Sequence, residues 1–206
     1  MKHLKILALC ALTSVSLPAA IVTFDFESSS ISSGLTTLSV SSGGVTATIT
    51  RVGGSIFGIS DISGSTPAFG SRSLDPFGAV GGGAFVVDFS ALLSSISVAM
   101  GDFAPSDIDT LTISAYSGVG GSGTLLGTSS VVLANSPTGF NFATVSTGGA
   151  SIMSIVMNGG SSSFPNSVYY DFLTVDTGTP GVPDAGSTAG LLFLAVAGLA
   201  ALRRKL

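Results

Sequence analysis

An all-β fold, a jelly-roll-like antiparallel β-sandwich, is the architecture this sequence predicts, and three observations predict it. Between residues 21 and 178, short runs alternate apolar and polar residues with a period of two. Gly, Ser, Asn and Pro break those runs at the intervals usual in sandwiches and barrels. No stretch of this interior carries a helical period with caps.

The elements follow in order. Ile21-Val22-Thr23-Phe24-Asp25-Phe26-Glu27 alternates cleanly, with Val22, Phe24 and Phe26 on one face and Thr23, Asp25 and Glu27 on the other. Residues 45–52 alternate apolar residues with Thr, and 85–89 and 96–100 continue the pattern. Thr110-Leu111-Thr112-Ile113-Ser114-Ala115-Tyr116 is the clearest strand, with Leu111, Ile113 and Ala115 inward. Later strands are expected at 124–132, 141–146, 151–157 and 168–175, about nine or ten in all. Gly81-Gly82-Gly83 and Gly118-Val119-Gly120-Gly121 read as loops or tight turns, and most of the 13 Phe are expected in the core. A domain of this length buries enough apolar surface to fold without disulfides.

Charge is segregated. Lys2, Lys5, Arg203, Arg204 and Lys205 lie at the ends, whereas residues 21–180 hold Arg51 and Arg72 against ten acids, a net of −8 with no Lys. Such a surface repels phosphate backbones, which argues against nucleic acid as a partner. The only Cys and the only His are Cys10 and His3. With the first 20 residues removed, the domain has no thiol, imidazole or Trp, which excludes a Cys nucleophile, a His base and a His/Cys zinc site.

Residues 1–20 have the form of a secretory signal peptide: Lys2, His3 and Lys5, an apolar run over 6–15, then Ala19-Ala20. The β-sandwich domain is expected over 21–178. Residues 179–184, which include Pro180-Gly181-Val182-Pro183-Asp184, form a turn-prone linker. Residues 185–202 are a nearly uncharged run of 18, at the short end of a transmembrane helix, and 203–206 close the chain with Arg203-Arg204-Lys205. A basic end held on the cytoplasmic side places the domain outside the cytoplasm.

Val182-Pro183-Asp184-Ala185-Gly186, the apolar run and the basic cluster together resemble the PEP-CTERM class of sorting signals, in its VPDSG-type variant; Ala185 stands where that variant has Ser. The resemblance implies an exosortase and the secretion machinery as partners, in a Gram-negative-type bacterium. It implies passage through the inner membrane to the cell surface or the extracellular matrix, in cells that make exopolysaccharide. Phe24-Asp25-Phe26-Glu27 and Tyr169-Tyr170-Asp171-Phe172-Leu173-Thr174-Val175 also look similar to exported sandwich domains with carbohydrate-binding-like folds.

Two acidic groups are candidate sites. Asp25 and Glu27 leave one face of the first strand, and first-to-last strand pairing would bring Asp171 to them as oxygen ligands for a structural Ca²⁺. The alternative is three solvent-facing charges. Asp102, Asp107 and Asp109 lack the spacing of an EF-hand loop and are expected to be solvated, capping turns. No pair of carboxylates is placed across a cleft by the pattern, as a glycan hydrolase would need. No Walker-type Gly-rich loop occurs either. The expected function is an exported, non-catalytic surface or matrix protein with a structural or adhesive role. The alternatives are a carbohydrate-binding module for exopolysaccharide and a carboxylate-dependent glycan hydrolase.

Overall fold

Residues 19–63, 70–76, 84–102, 107–133, 139–165 and 167–178 are described by a computed structural model. They hold thirteen strands: β1 (Ile21–Phe24), β2 (Ser32–Leu35), β3 (Thr37–Ser42), β4 (Val45–Arg51), β5 (Phe57–Asp61), β6 (Arg72–Asp75), β7 (Phe85–Leu93), β8 (Ser95–Asp102), β9 (Asp109–Tyr116), β10 (Leu125–Leu133), β11 (Phe140–Ser146), β12 (Ile152–Gly160) and β13 (Val168–Asp176). Every pairing is antiparallel. One sheet runs β11-β8-β13-β6-β5-β2, with β1 also on β13, and the other runs β10-β9-β12-β7-β4-β3. Within them, β6-β13-β8-β11 faces β7-β12-β9-β10, the order that an eight-stranded jelly roll winds. β2 to β5 extend both sheets on one side.

All nine anticipated strands are present, and four more were not anticipated: β2, β3, β5 and β6. Gly118-Val119-Gly120-Gly121 is a turn, as expected, with a short 3-10 segment over Val119–Gly121. Gly81-Gly82-Gly83, residues 1–18 of the signal peptide, and the linker, helix and basic end over 179–206 lie outside the described residues. Among the described residues, no helix is long and apolar enough to cross a membrane.

The core forms because inward positions on facing strands are apolar and β-branched or aromatic. Phe24, Ile49, Phe57, Phe85, Leu111, Ile113, Met157, Tyr170 and Leu173 are all buried there. Phe85 stacks edge-on against Phe57 (5.3 Å) and Tyr170 (5.5 Å). Arg51, only 4% exposed, lies over the Phe85 ring at 5.1 Å and donates from Nη1 to the carbonyls of Ile56 (3.0 Å) and Pro76 (2.9 Å). A buried guanidinium is tolerated because the ring face and the carbonyls replace part of its hydration.

Among the described residues, three Phe depart from the expected inward placement. Phe140, Phe142 and Phe164 are exposed.

Candidate functional sites and the sorting tail

The first and last strands pair as the sequence suggested: Ile21 faces Asp176 and Phe24 faces Leu173. β1 and β6 share one edge of β13, since β8 holds the other, and β6 meets it at Tyr170. The junction between the ends of β1 and β6 therefore falls beside Asp171 and Phe172. Two irregularities shape it. Phe26 turns the chain at φ 57°, and a bulge at Asp171–Thr174 carries Phe172 at φ 44°.

Glu27 stitches that junction. Its Oε1 accepts from the Ser71 (2.7 Å) and Arg72 (3.0 Å) N–H groups, and its Oε2 from the Ser71 hydroxyl (2.6 Å). The Ser71 hydroxyl and the two N–H groups hold its pKa below the ordinary value. Arg72 Nη1 returns the contact by donating to the Ser29 carbonyl. Asp25 Oδ1 accepts from the Glu27 N–H at 3.2 Å. Asp171 is fully buried; its Oδ1 accepts from the Phe172 N–H (2.7 Å), and its Oδ2 has no hydrogen-bond partner. Burial pushes its pKa up to about 8, and the charges of Asp25 and Glu27 add to the rise. The three acids thus share one junction, with the oxygens of Glu27 already engaged. Among the described residues, no group of three His, Cys, Asp or Glu stands ready to hold a metal ion.

The second acidic group differs from the solvated loop expected. Asp102 closes β8 at 2% exposure and Asp109 opens β9 at 0%. Both belong to strands, so they sit inside one end of the sandwich instead of on a loop. Asp109 hydrogen-bonds the Asp102 carboxyl and accepts from the Ser167 hydroxyl at 3.2 Å. Burial and the neighbouring Asp102 and Asp107 push its pKa up to about 7, so Asp109 keeps its proton in mild acid.

The outer faces carry a feature the sequence reading missed. Hydroxyls pair across strands at Thr23–Thr174 (3.0 Å), Ser39–Thr48 (3.3 Å), Ser41–Thr46 (2.8 Å), Ser97–Thr144 (2.9 Å), Thr112–Ser130 (3.0 Å) and Ser114–Thr128 (3.2 Å). The alternating Thr and Ser of these strands were the available signal. Phe140 and Phe142 stand at 5.6 Å and 84° to each other, so they present no common plane on which two sugar rings would stack.

The family described as VPDSG-CTERM motif matches residues 181–206. The chain ends in a VPDSG-CTERM sorting tail. Val182, Pro183, Asp184, Ala185 and Gly186, and the basic Arg203, Arg204 and Lys205, all fall within the matched span. A VPDSG-CTERM tail implies processing by an exosortase-type system, and with it export to the surface or the extracellular space. No curated protein matches the chain.

Proposed function

We propose that this is a non-catalytic protein of the cell surface or extracellular matrix with a structural or adhesive role. The observation that carries the reading is the VPDSG-CTERM tail on a chain whose described part is a β-sandwich. The cross-strand hydroxyl pairs on the outer sheet faces support it, since they keep those faces hydrated. Mass spectrometry of the protein from membrane and medium fractions of its own cells is the test. Loss of residues 1–20 and of the end beyond the Val182–Gly186 motif is expected. A chain retained in the membrane with Arg203, Arg204 and Lys205 intact would leave a plain anchor instead.

Binding of a neutral exopolysaccharide is the second reading, favoured by the exposed Phe140 and Phe142 beside hydroxyl-bearing strands. Saturable pull-down on a defined glycan, weakened by Phe142→Ala, would support it; no retention on any polysaccharide of the parent cells would remove it. A structural Ca²⁺ at Asp25, Glu27 and Asp171 is a further proposal, supported by the buried Asp171 Oδ2 without a partner. It requires Glu27 to release Ser71 and Arg72. Added Ca²⁺ should then raise the Tm of the parent and leave Asp171→Ala unmoved, and an unmoved parent ends the idea.

A further inference from the structure

The two sides of the sandwich are closed differently. At one side, β10 and β11 face each other across the sheets, and β11 reaches over: Asn141 Nδ2 donates to the Val132 carbonyl (3.1 Å) and the Thr144 N–H to the Ser129 hydroxyl (3.3 Å). At the other side lie β2 and β3, and among the described residues no hydrogen bond ties them together. β2 is short and broken by Gly34 at φ 74°. β3 is the outermost strand of its sheet, six residues long, with neither charge nor proline.

The register of β3 shows which of its backbone groups are spare. Ser42 faces Val45 across Gly43-Gly44, both at positive φ, which is a two-residue hairpin turn. The flanking pair of such a turn is hydrogen-bonded, so Ser42, Val40 and Leu38 point their N–H and C=O groups at β4. Thr37, Ser39 and Ser41 then point theirs away from the sheet. The close Ser41–Thr46 and Ser39–Thr48 hydroxyl contacts agree, because non-hydrogen-bonded pairs bring side chains nearest. Among the described residues, no hydrogen bond satisfies the outward groups of 37, 39 and 41. Beneath them lies an open groove of about 500 Å³, with half-buried Leu35, Leu38 and Val40 among hydroxyls of Ser28, Ser30 and Ser32.

Natural edge strands are usually guarded by Lys, Pro, a bulge or brevity, and β3 has none of these. We infer that β3 is an assembly edge that pairs antiparallel with β3 of a second copy of this chain, about a two-fold axis at Ser39. In that register Thr37 meets Ser41, Ser39 meets Ser39, and all three spare residues of each copy are satisfied. The partner is a copy and not another class of molecule for an electrostatic reason. Copies carrying a net of −8 over residues 21–180 repel one another at most approaches, whereas residues 28–50, which contain this edge, hold no charge at all. Pairing also joins the two grooves, so that Leu35, Leu38 and Val40 of both copies are covered together. The inference stands without the structural or adhesive reading, since a glycan-binding chain would carry the same edge.

Sedimentation of the full chain tests it, with charges placed at residue 39, an exposed position whose side chain leaves the hydrogen-bond ladder intact. The parent is expected to dimerise. Ser39→Lys and Ser39→Glu should each weaken association about fivefold, because like charges then stand directly opposite. An equimolar mixture of the two should recover a mixed dimer, and Ser130→Lys, the same change on the exposed face of β10, should associate like the parent. A monomeric parent overturns the inference. So does a dimer indifferent to both Ser39 changes, a mixture that fails to recover, or an equal loss in Ser130→Lys.

Discussion

At the scale of single residues, an exposed acid ties two strands together. Glu27 faces solvent, yet its carboxylate takes three hydrogen bonds from the start of β6, and no other described group bridges the ends of β1 and β6 so fully. Removing it leaves two N–H groups without their acceptor, at a cost of about 1–2 kcal/mol once solvent access is allowed for. Glu27→Ala should lower the chemical-denaturation midpoint by that amount, and Glu27→Gln, which keeps an acceptor, by less. Gly70 supplies an independent check. It sits at φ 79°, where any Cβ strains the backbone, and a Cβ there would also collide with the Glu27 carboxylate, so Gly70→Ala should cost the parent more than it costs Glu27→Ala, in which only the backbone strain remains. Additive losses in the double variant would mean that Glu27 is not a staple. The pairing of β1 with β13 is as the sequence suggested, but β1 ends at Phe24 and Phe26 turns the chain at φ 57°, so Asp25 and Glu27 lie past the strand instead of on one face of it. What spacing could not convey is that Ser71 and Arg72, more than forty residues away, occupy the Glu27 oxygens.

At the scale of elements, what was legible follows one rule: a strand with one face buried alternates, and a strand buried on both faces does not. β9 alternates buried and half-buried residues along its whole length and was plain in Thr110-Leu111-Thr112-Ile113. β5 and β6 are short and mostly buried on both faces, with Asp75 covered by the Ser60 hydroxyl at 2.5 Å, so neither shows the period. β3 is different, because Leu38 and Val40 between Thr37, Ser39 and Ser41 did alternate, and only the surrounding serines disguised it. The β3–β4 turn offers a sharp comparison. Gly43 and Gly44 both have positive φ, but a Cβ on Gly43 would come 2.6 Å from Val22 Cγ2, while one on Gly44 meets nothing within 4 Å. Each Gly→Ala change costs about 1–2 kcal/mol of backbone strain. Gly43→Ala should cost measurably more than Gly44→Ala, and Val22→Ala should erase the difference. In the core, Phe85→Ala removes a ring that contacts Phe57, Tyr170 and Arg51 at once, and a loss of about 3–5 kcal/mol is expected by calorimetry.

At the scale of the whole molecule, the distribution of acid decides how stability responds to pH. No residue from 110 to 170 is charged, and two of the ten acids in the domain are buried carboxyls whose pKa values are raised from 3.8: Asp109 to about 7 and Asp171 to about 8. Asp109 faces Asp102 and Asp107, and Asp171 faces Asp25 and Glu27, with no base among the causes of either shift. For a carboxyl raised in the fold, the unfolded chain releases its proton first. The stabilising contribution is therefore complete below the unfolded value of 3.8 and is lost as pH climbs toward 7 for Asp109 and 8 for Asp171. Glu27 and Asp61, lowered by their hydrogen bonds, act in the opposite sense. Their contributions are present above their unfolded values and fade in stronger acid, but both are solvent-facing and weigh less. The melting temperature should accordingly be highest near pH 4 and fall steadily as the pH rises to 8. Rising net negative charge would produce a similar fall by self-repulsion, and the variants separate the two causes. Asp171→Asn and Asp109→Asn should each flatten the profile between pH 5 and 8, whereas Asp88→Asn, the same charge change at an acid held by the Gly120 N–H, should leave its slope unaltered. If all three variants flatten it alike, repulsion rather than buried carboxyls sets the pH response; a parent profile level from pH 5 to 8 would mean that neither carboxyl keeps its proton in the fold.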